Sequence, residues 1–388
     1  MEESRDFFPF AWHFVVMRRT LTDAISVDLD RKMVLLVGPR QVGKTWLAQD
    51  LASRFRRPVY LNYDSRADRE ILEREGWLPE TDLLILDELH KMPDWQRYLK
   101  GVFDTRPPGL RILVTGSARL DLLAHGGESL AGRYFRHRML PFTLAELRGT
   151  PMEGDLARLI ERGGFPEPLL ADDPTQASRW RQQIVDALIR YDILDFQRII
   201  DFKALQLTLE LLRARVGSPI SFASIARDIG ASPTTVTRYV HLLEALHLVF
   251  RVTPWSRNIA RALLKEPKIY FFDTGLVSAG GGARFENLVA VALLAHVWGR
   301  ADRRGEGVEL HYVRTKDGRE VDFALVRDGA LERLVECKVA EDHPDPSLIR
   351  FAAQTGAPAT QVVWHLRHEQ QSRGVELRRA LDWLQNLG

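Results

Sequence analysis

Apolar residues follow two different rhythms along the chain. Over about residues 31–145, short unbroken apolar runs at 33–37, 59–61, 83–86 and 112–114 alternate with stretches of helical spacing at 46–55, 67–75 and 95–103. An unbroken run of that length marks a strand buried on both faces, and strand–helix alternation predicts an α/β parallel sheet covered on both sides. From about 150 to 265 the rhythm becomes helical, with Ile184, Val185, Leu188 and Ile189 spaced along a helix over 180–200. Residues 221–229, the turn Gly230-Ala231 and residues 232–248 then read as helix, turn, helix. Ser232 is placed to cap the second helix, and Pro233 sits at its first position, where a missing N–H costs nothing. Two β-like stretches follow at 249–252 and 268–272, as expected of a wing. A last unit begins with a helix over 285–298, followed by strands and a C-terminal helix. The expected division is residues 1–150, 151–280 and 281–388.

Composition narrows this picture. The 388 residues are 45% apolar and 27% charged, which excludes a mostly disordered or fibrous chain. Fifty-four Lys and Arg against 52 Asp and Glu leave a net charge of +2, so any case for nucleic acid rests on local patches. The single cysteine, Cys337, cannot form an intrachain disulfide and fits a reducing compartment. The apolar stretch 7–17 is broken by Pro9 and His13 and follows acidic residues; it is expected to pack on the first domain. No stretch reaches membrane-spanning length, and the expectation is a cytoplasmic protein with no membrane partner.

Candidate chemistry begins where the first strand ends. Gly38-Pro39-Arg40-Gln41-Val42-Gly43-Lys44-Thr45 fits the phosphate-loop pattern G-x-x-x-x-G-K-[ST]. Its glycines let backbone N–H groups turn toward phosphate oxygens at a helix N-terminus, Lys44 neutralises the β- and γ-phosphates, and the Thr45 hydroxyl is a Mg²⁺ ligand. ATP and Mg²⁺ are the expected cofactors. The run 83–86 ends in Asp87-Glu88, which places Asp87 in the Mg²⁺ shell and Glu88 as the catalytic group that orients or deprotonates water. Thr115-Gly116-Ser117 ends a third strand, with Ser117 expected to sense the γ-phosphate. Arg119, Arg133, Arg136 and Arg138 follow, and Arg133, next to Gly132, is the favoured finger, acting within the chain or across an oligomer.

These residues resemble AAA-type P-loop ATPases, specifically a prokaryotic family whose ATPase domain precedes a C-terminal domain of unknown function. The resemblance extends through Gly163-Gly164-Phe165-Pro166-Glu167, Phe271-Phe272-Asp273-Thr274-Gly275-Leu276, Phe285-Glu286-Asn287 and Gly318-Arg319-Glu320-Val321-Asp322-Phe323. It implies nucleotide hydrolysis, a winged-helix middle region and a C-terminal α/β domain similar to PD-(D/E)xK nucleases. Ser117 departs from the Asn common at the sensor position of many AAA proteins.

The tail has a reading of its own. Asp322 lies on one predicted strand, and Glu336 and Lys338 lie two apart, hence on one face, of the next. A two-residue turn at 328–329 sets Asp322 opposite Val335, whereas a three-residue turn at 328–330 sets it opposite Glu336 and gathers Val321, Phe323, Val335, Cys337 and Val339 on one apolar face. Hydrophobic matching favours the three-residue turn, with Gly329 or Ala330 left-handed. Asp322 and Glu336, with Glu286 as an extra carboxylate, are then placed to hold Mg²⁺ or Mn²⁺, and Lys338 to stabilise phosphoryl charge. A hairpin carrying a solvent-facing salt-bridge cluster is the competing reading. In the helix–turn–helix, Thr234, Thr235, Thr237, Arg238 and His241 are the expected reading side chains, and residues 218–262 carry a net +3.

Two functions fit. One is a Mg²⁺-dependent ATPase coupled to a nucleic-acid-binding tail that is itself a metal-dependent nuclease acting on DNA or RNA. The other is an ATP-dependent switch whose degenerate nuclease-like tail docks DNA or protein.

Overall fold

The computed structural model describes residues 17–116, 130–189, 201–256, 266–315 and 317–387. The expected packing of stretch 7–17 lies outside these, apart from Met17, as does most of the second half of the helix expected over 180–200. The chain divides into two compact units, up to Asp155 and from Leu156 onward.

In the first unit α1 (Leu21–Leu29) leads into β1 (Met33–Val37), α2 (Lys44–Ala52), β2 (Pro58–Asn62), α3 (Arg66–Arg74), β3 (Leu83–Asp87), α4 (Trp95–Thr105), β4 (Arg111–Gly116) and β5 (Tyr134–Arg138). The strands form one all-parallel sheet in the order β2-β3-β4-β1-β5. All five residues of β1 and of β3 are buried, which is why both read as unbroken apolar runs. Leu35, Val37, Leu84, Leu86 and Val114 form one core with Leu72 of α3 and Trp95, Leu99 and Val102 of α4.

The second unit opens with α5 (Leu156–Arg162), α6 (Pro166–Leu170), α7 (Pro174–Ala187) and α8 (Phe202–Ala214), followed by α9 (Phe222–Ile229) and α10 (Pro233–Ala245). The Ser232 hydroxyl accepts the Thr235 N–H at 3.1 Å, and Pro233 is the first residue of α10, as the sequence predicts. β6 (Val249–Pro254) and β7 (Lys268–Phe271) pair antiparallel. Then come α11 (Gly281–Arg304), β8 (Val308–Arg314), β9 (Glu320–Arg327), β10 (Ala330–Lys338), α12 (Pro346–Thr355), β11 (Ala359–Val363), β12 (Gln370–Ser372), β13 (Val375–Arg379) and α13 (Ala380–Gln385). Thr253 and Pro254 of β6 pair in parallel with β8, so β6 and β7 extend the tail's sheet to eight strands, β12-β13-β11-β10-β9-β8-β6-β7. The segments expected as a middle domain and a tail domain therefore share one sheet. No helix among the described residues is long and apolar enough to cross a membrane.

The β9–β10 hairpin departs from its predicted turn. Arg327 pairs with Ala330, which makes the turn the two residues Asp328-Gly329, at φ 52° and 80°. A bulge between Leu331 and Arg333 then shifts the register by one, so that Val335 faces Phe323 and, continuing the ladder, Glu336 comes opposite Asp322. The expected apposition arises from the bulge and not from a longer turn. The sheet here also lacks the solvent face of a half-buried hairpin: Ala324, Leu334, Phe323 and Val335 are all fully buried.

Three of the later motifs meet in this unit. Asp273 accepts from Arg181 Nε at 2.9 Å and from the Gly275 N–H at 3.0 Å, and Arg181 also donates to the Arg162 carbonyl. Gly163 has φ +70°, and a Cβ there would lie 1.9 Å from Asp273 Oδ1. Asn287 bridges both backbone groups of Phe271, at 2.8 and 2.9 Å, and the Thr274 hydroxyl. Gly163→Ala is expected to lower stability by about 2 kcal/mol or more, through left-handed strain and loss of the buried Asp273–Arg181 pair. Urea unfolding checks this, and an unchanged midpoint would show that the Gly163 turn yields freely.

Candidate functional site

The loop between β1 and α2 is shaped by backbone that other residues resist. Gly38 has φ +155°, and a Cβ on it would lie 2.2 Å from the Met139 carbonyl oxygen, so β5's continuation leaves room only for glycine. Gln41 (φ 58°) and Gly43 (φ 101°) complete the tight turn into the N-terminus of α2. Lys44, 8% exposed, points into this loop and donates to the carbonyls of Gly38 at 2.9 Å and Pro39 at 2.6 Å. Burial lowers its pKa to about 8 against the opposing pull of Glu88 and Asp87.

β3 delivers its carboxylate to the same place. β4 separates β3 from β1, yet Asp87 Oδ2 accepts from the Thr45 hydroxyl at 3.0 Å and the Tyr60 hydroxyl at 2.5 Å. Its Oδ1 accepts from the Thr115 hydroxyl and from the Glu88 N–H at 3.0 Å. Burial and then the bond to Asp87 raise the Tyr60 pKa well above its ordinary value, so Tyr60 stays a donor. Glu88 is held left-handed at φ 54°, a conformation uncommon for any residue but glycine. Its Oε2 lies 3.3 Å from Lys91 Nζ.

The structure thus assembles Lys44, Thr45, Asp87 and Glu88 at the carboxyl ends of parallel strands, where open α/β sheets bind ligands. Ser117 and Arg119 lie outside the described residues. Arg133 belongs elsewhere. It precedes β5, its carbonyl accepts from Met33 at the start of β1, and its guanidinium grips Asp104 at 2.8 and 3.0 Å. That is the opposite end of a five-residue strand about 15 Å long, so Arg133 does not reach the loop of its own chain.

Two residues, Tyr60 and Arg19, escaped the sequence reading, and Thr115, read there only as part of the sensor strand, takes a different place. Tyr60 and Thr115 fix Asp87 from the neighbouring strands, a relation set by strand order and invisible to local pattern. Arg19, 2% exposed, donates to the Val42 carbonyl at 2.7 Å and to Glu146 at 3.0 Å, and lies over the Phe142 ring. It supports the loop from a distant part of the chain, and no spacing rule links these positions.

Residues 30–148 match the family model described as AAA domain. The first unit carries an AAA-type P-loop ATPase-like domain. Beyond the AAA domain, residues 153–285 match a domain of unknown function (DUF8612) and residues 281–382 another (DUF4143). The uncharacterized proteins Rv2008c of Mycobacterium tuberculosis and Mb2031c of Mycobacterium bovis are each 29% identical over 250 residues, 63% of this chain and 55% of theirs. The chain spans about half the length of these curated relatives. Among solved structures, the Walker-type ATPase PABY2304 of Pyrococcus abyssi is similar with a TM-score of 0.45 at 15% identity, covering 68% of this chain and 95% of that one. A RuvB variant of Thermotoga maritima has a TM-score of 0.33 at 19% identity, covering 61% and 90%.

The tail brings together the residues expected there and adds others. Glu336 Oε2 accepts the Asp322 N–H at 3.1 Å, Asp322 Oδ2 accepts the Cys337 N–H at 3.0 Å, and Lys338 Nζ lies 2.9 Å from Glu336 and 3.1 Å from Asp345. Glu286 of α11 accepts from the Tyr270 hydroxyl at 2.6 Å. Burial and then Asp322 push the Glu336 pKa up to about 8 and the Glu286 pKa up to about 7. Glu320 stood in a quoted motif without a role of its own, while Lys268, Tyr270 and Asp345 were not singled out by the sequence, because they come from an earlier strand and from the cap of a later helix.

Arg133→Ala is expected to leave ATP turnover per subunit within about twofold of wild type. Loss of an order of magnitude would mean that Arg133 acts on the nucleotide of a neighbouring copy.

Proposed function

We propose that this chain is a Mg²⁺-dependent ATP hydrolase whose nucleotide state controls a nucleic-acid-docking second unit. The observation that carries the first part is the 3.0 Å contact of Thr45 with Asp87, which sets two hard oxygen donors side by side beneath the phosphate loop. Such donors fit Mg²⁺, and Thr45 and Asp87 are the residues that would hold it. When bound, the ion neutralises charge on the β- and γ-phosphate oxygens. Gly38–Gly43 backbone N–H groups and the α2 N-terminus bind the phosphates, and Lys44 exchanges its two carbonyl partners for phosphate oxygens. Glu88 orients and deprotonates the attacking water. Its left-handed backbone, the kind of strain concentrated at functional sites, supports that role. A γ-phosphate sensor at Ser117 belongs to the same reading.

One observation favours docking on nucleic acid through the α9–α10 pair, in the manner of a winged helix. Thr234, Arg238 and His241 are exposed along one stripe of α10. The Thr234 and Thr235 hydroxyls bond to Ser232 and that of Thr237 to the Pro233 carbonyl, which leaves Arg238 and His241 as the exposed side chains of α10 best placed to reach a nucleic acid.

Lys44→Ala is expected to weaken ATP binding at least about tenfold, whereas Glu88→Gln keeps affinity while turnover falls about a hundredfold. Equilibrium binding and single-turnover hydrolysis measure both. Unchanged affinity in the first variant, or full turnover in the second, rejects the assignment. Arg238→Ala is expected to weaken binding to duplex DNA across sequences and to flatten its salt dependence by about one unit of slope. Equal slopes for variant and wild type would remove α10 from the interface.

A further inference from the structure

The acidic cluster of the second unit contains a cation supplied by the chain itself. Lys268, the first residue of β7, is fully buried, and its ammonium lies 2.8 Å from Glu320, 3.1 Å from Glu286 and 3.1 Å from Asp322. A lysine ammonium has three N–H donors, and here three carboxylates from α11 and β9 surround it. The Tyr312 ring of β8 lies 5.6 Å from it. The backbone at this point is pinned as well: β7 pairs with β6, Lys268 bridges to Pro219, and the Ile220 N–H donates to the Pro267 carbonyl at 2.8 Å.

Asp322 and its neighbour Glu336 are engaged on their other oxygens as well. Asp322 Oδ2 and Glu336 Oε2 accept backbone N–H groups, and Glu336 Oε1 is paired with Lys338. A divalent ion bound by oxygen requires six or more oxygen ligands at about 2.0–2.6 Å. Among the described residues no group of three His, Cys, Asp or Glu side chains is arranged to hold one. The residues present therefore do not fit a metal while Lys268 is among them, since ion and ammonium need the same oxygens and repel each other in a buried site.

We propose that the Lys268 ammonium is the resident cation of this cluster, so that the wild-type tail takes no divalent ion and loss of Lys268 opens a metal site on Glu286, Glu320 and Asp322. Removing the lysine leaves three carboxylates crowded without their counter-charge, and a divalent cation then supplies what the ammonium did. The electrostatics agree. Burial opposes the charge on Lys268, but Asp322, Glu286 and Glu320 together outweigh it and hold its pKa well above the ordinary value. The inference concerns the second unit alone and stands or falls independently of ATP hydrolysis.

Nucleotide-free full-length protein titrated with Mn²⁺, followed by electron paramagnetic resonance and by thermal unfolding, tests this. Wild type and Asp322→Asn are expected to bind Mn²⁺ equally, and wild type to show no Mn²⁺-dependent rise in melting temperature. Lys268→Ala is expected to melt lower, to bind Mn²⁺ at least tenfold more tightly than wild type, and to recover melting temperature on Mn²⁺ addition. The double variant with Asp322→Asn loses that gain. Lys268→Gln, closer in length, provides the same comparison if the alanine variant does not fold. Mn²⁺ binding by wild type that Asp322→Asn abolishes would overturn the proposal, as would folded Lys268 variants that gain no site. If neither variant folds, the wild type and Asp322→Asn comparison alone decides.

Discussion

Asp87 is 5% exposed and ends a strand whose other residues are all apolar. A carboxylate in that position is costly unless donors surround it, and four do: the hydroxyls of Thr45, Tyr60 and Thr115 and the N–H of Glu88. Those donors come from α2, β2, β4 and the residue that follows β3. This one group is satisfied only where β2 and β4 flank β3, where the first turn of α2 lies over the end of the sheet and where Glu88 turns its N–H back onto it from a left-handed backbone. The phosphate loop is rigid for a related reason, since Gly38 lies against the Met139 carbonyl and Val42 is tied to Arg19.

The second unit solves the same problem at larger scale. Glu286, Glu320, Asp322, Glu336 and Asp345 converge around Lys268 and Lys338. Buried like charges remain together only where cations, protons or N–H groups compensate them. Both lysines and two backbone amides serve here, while burial and the neighbouring Asp322 charge raise the pKa values of Glu286 and Glu336. The sharing of one sheet by β6–β7 and the tail is what carries Lys268 to the cluster.

Legibility in the sequence followed the range of the interaction. The parallel sheet was visible because fully buried strands must be apolar throughout, and α10 because its cap and first-turn proline lie within three residues of each other. The phosphate loop, Asp87 and Glu88 were visible because their chemistry is compressed into short motifs at strand ends. That Arg133 lies away from the loop of its own chain was hidden, because sequence proximity to the sensor strand says nothing about which end of β5 a residue occupies. The apposition of Asp322 and Glu336 was foreseen from hydrophobic matching, yet the turn was not, because a bulge absorbs one residue in mid-strand without a local signature.

By itself, then, the sequence determined an α/β nucleotide-type domain, its loop, its acidic strand end and the helical character of the middle region, all consequences of periodicity and of contacts between near neighbours. Tertiary structure alone decided which hydroxyls hold Asp87, which arginine stays away from the loop and which lysine enters the tail's carboxylates. Those relations depend on strand order and register, where residues tens to more than a hundred positions apart are brought within hydrogen-bonding distance and no local pattern encodes the pairing.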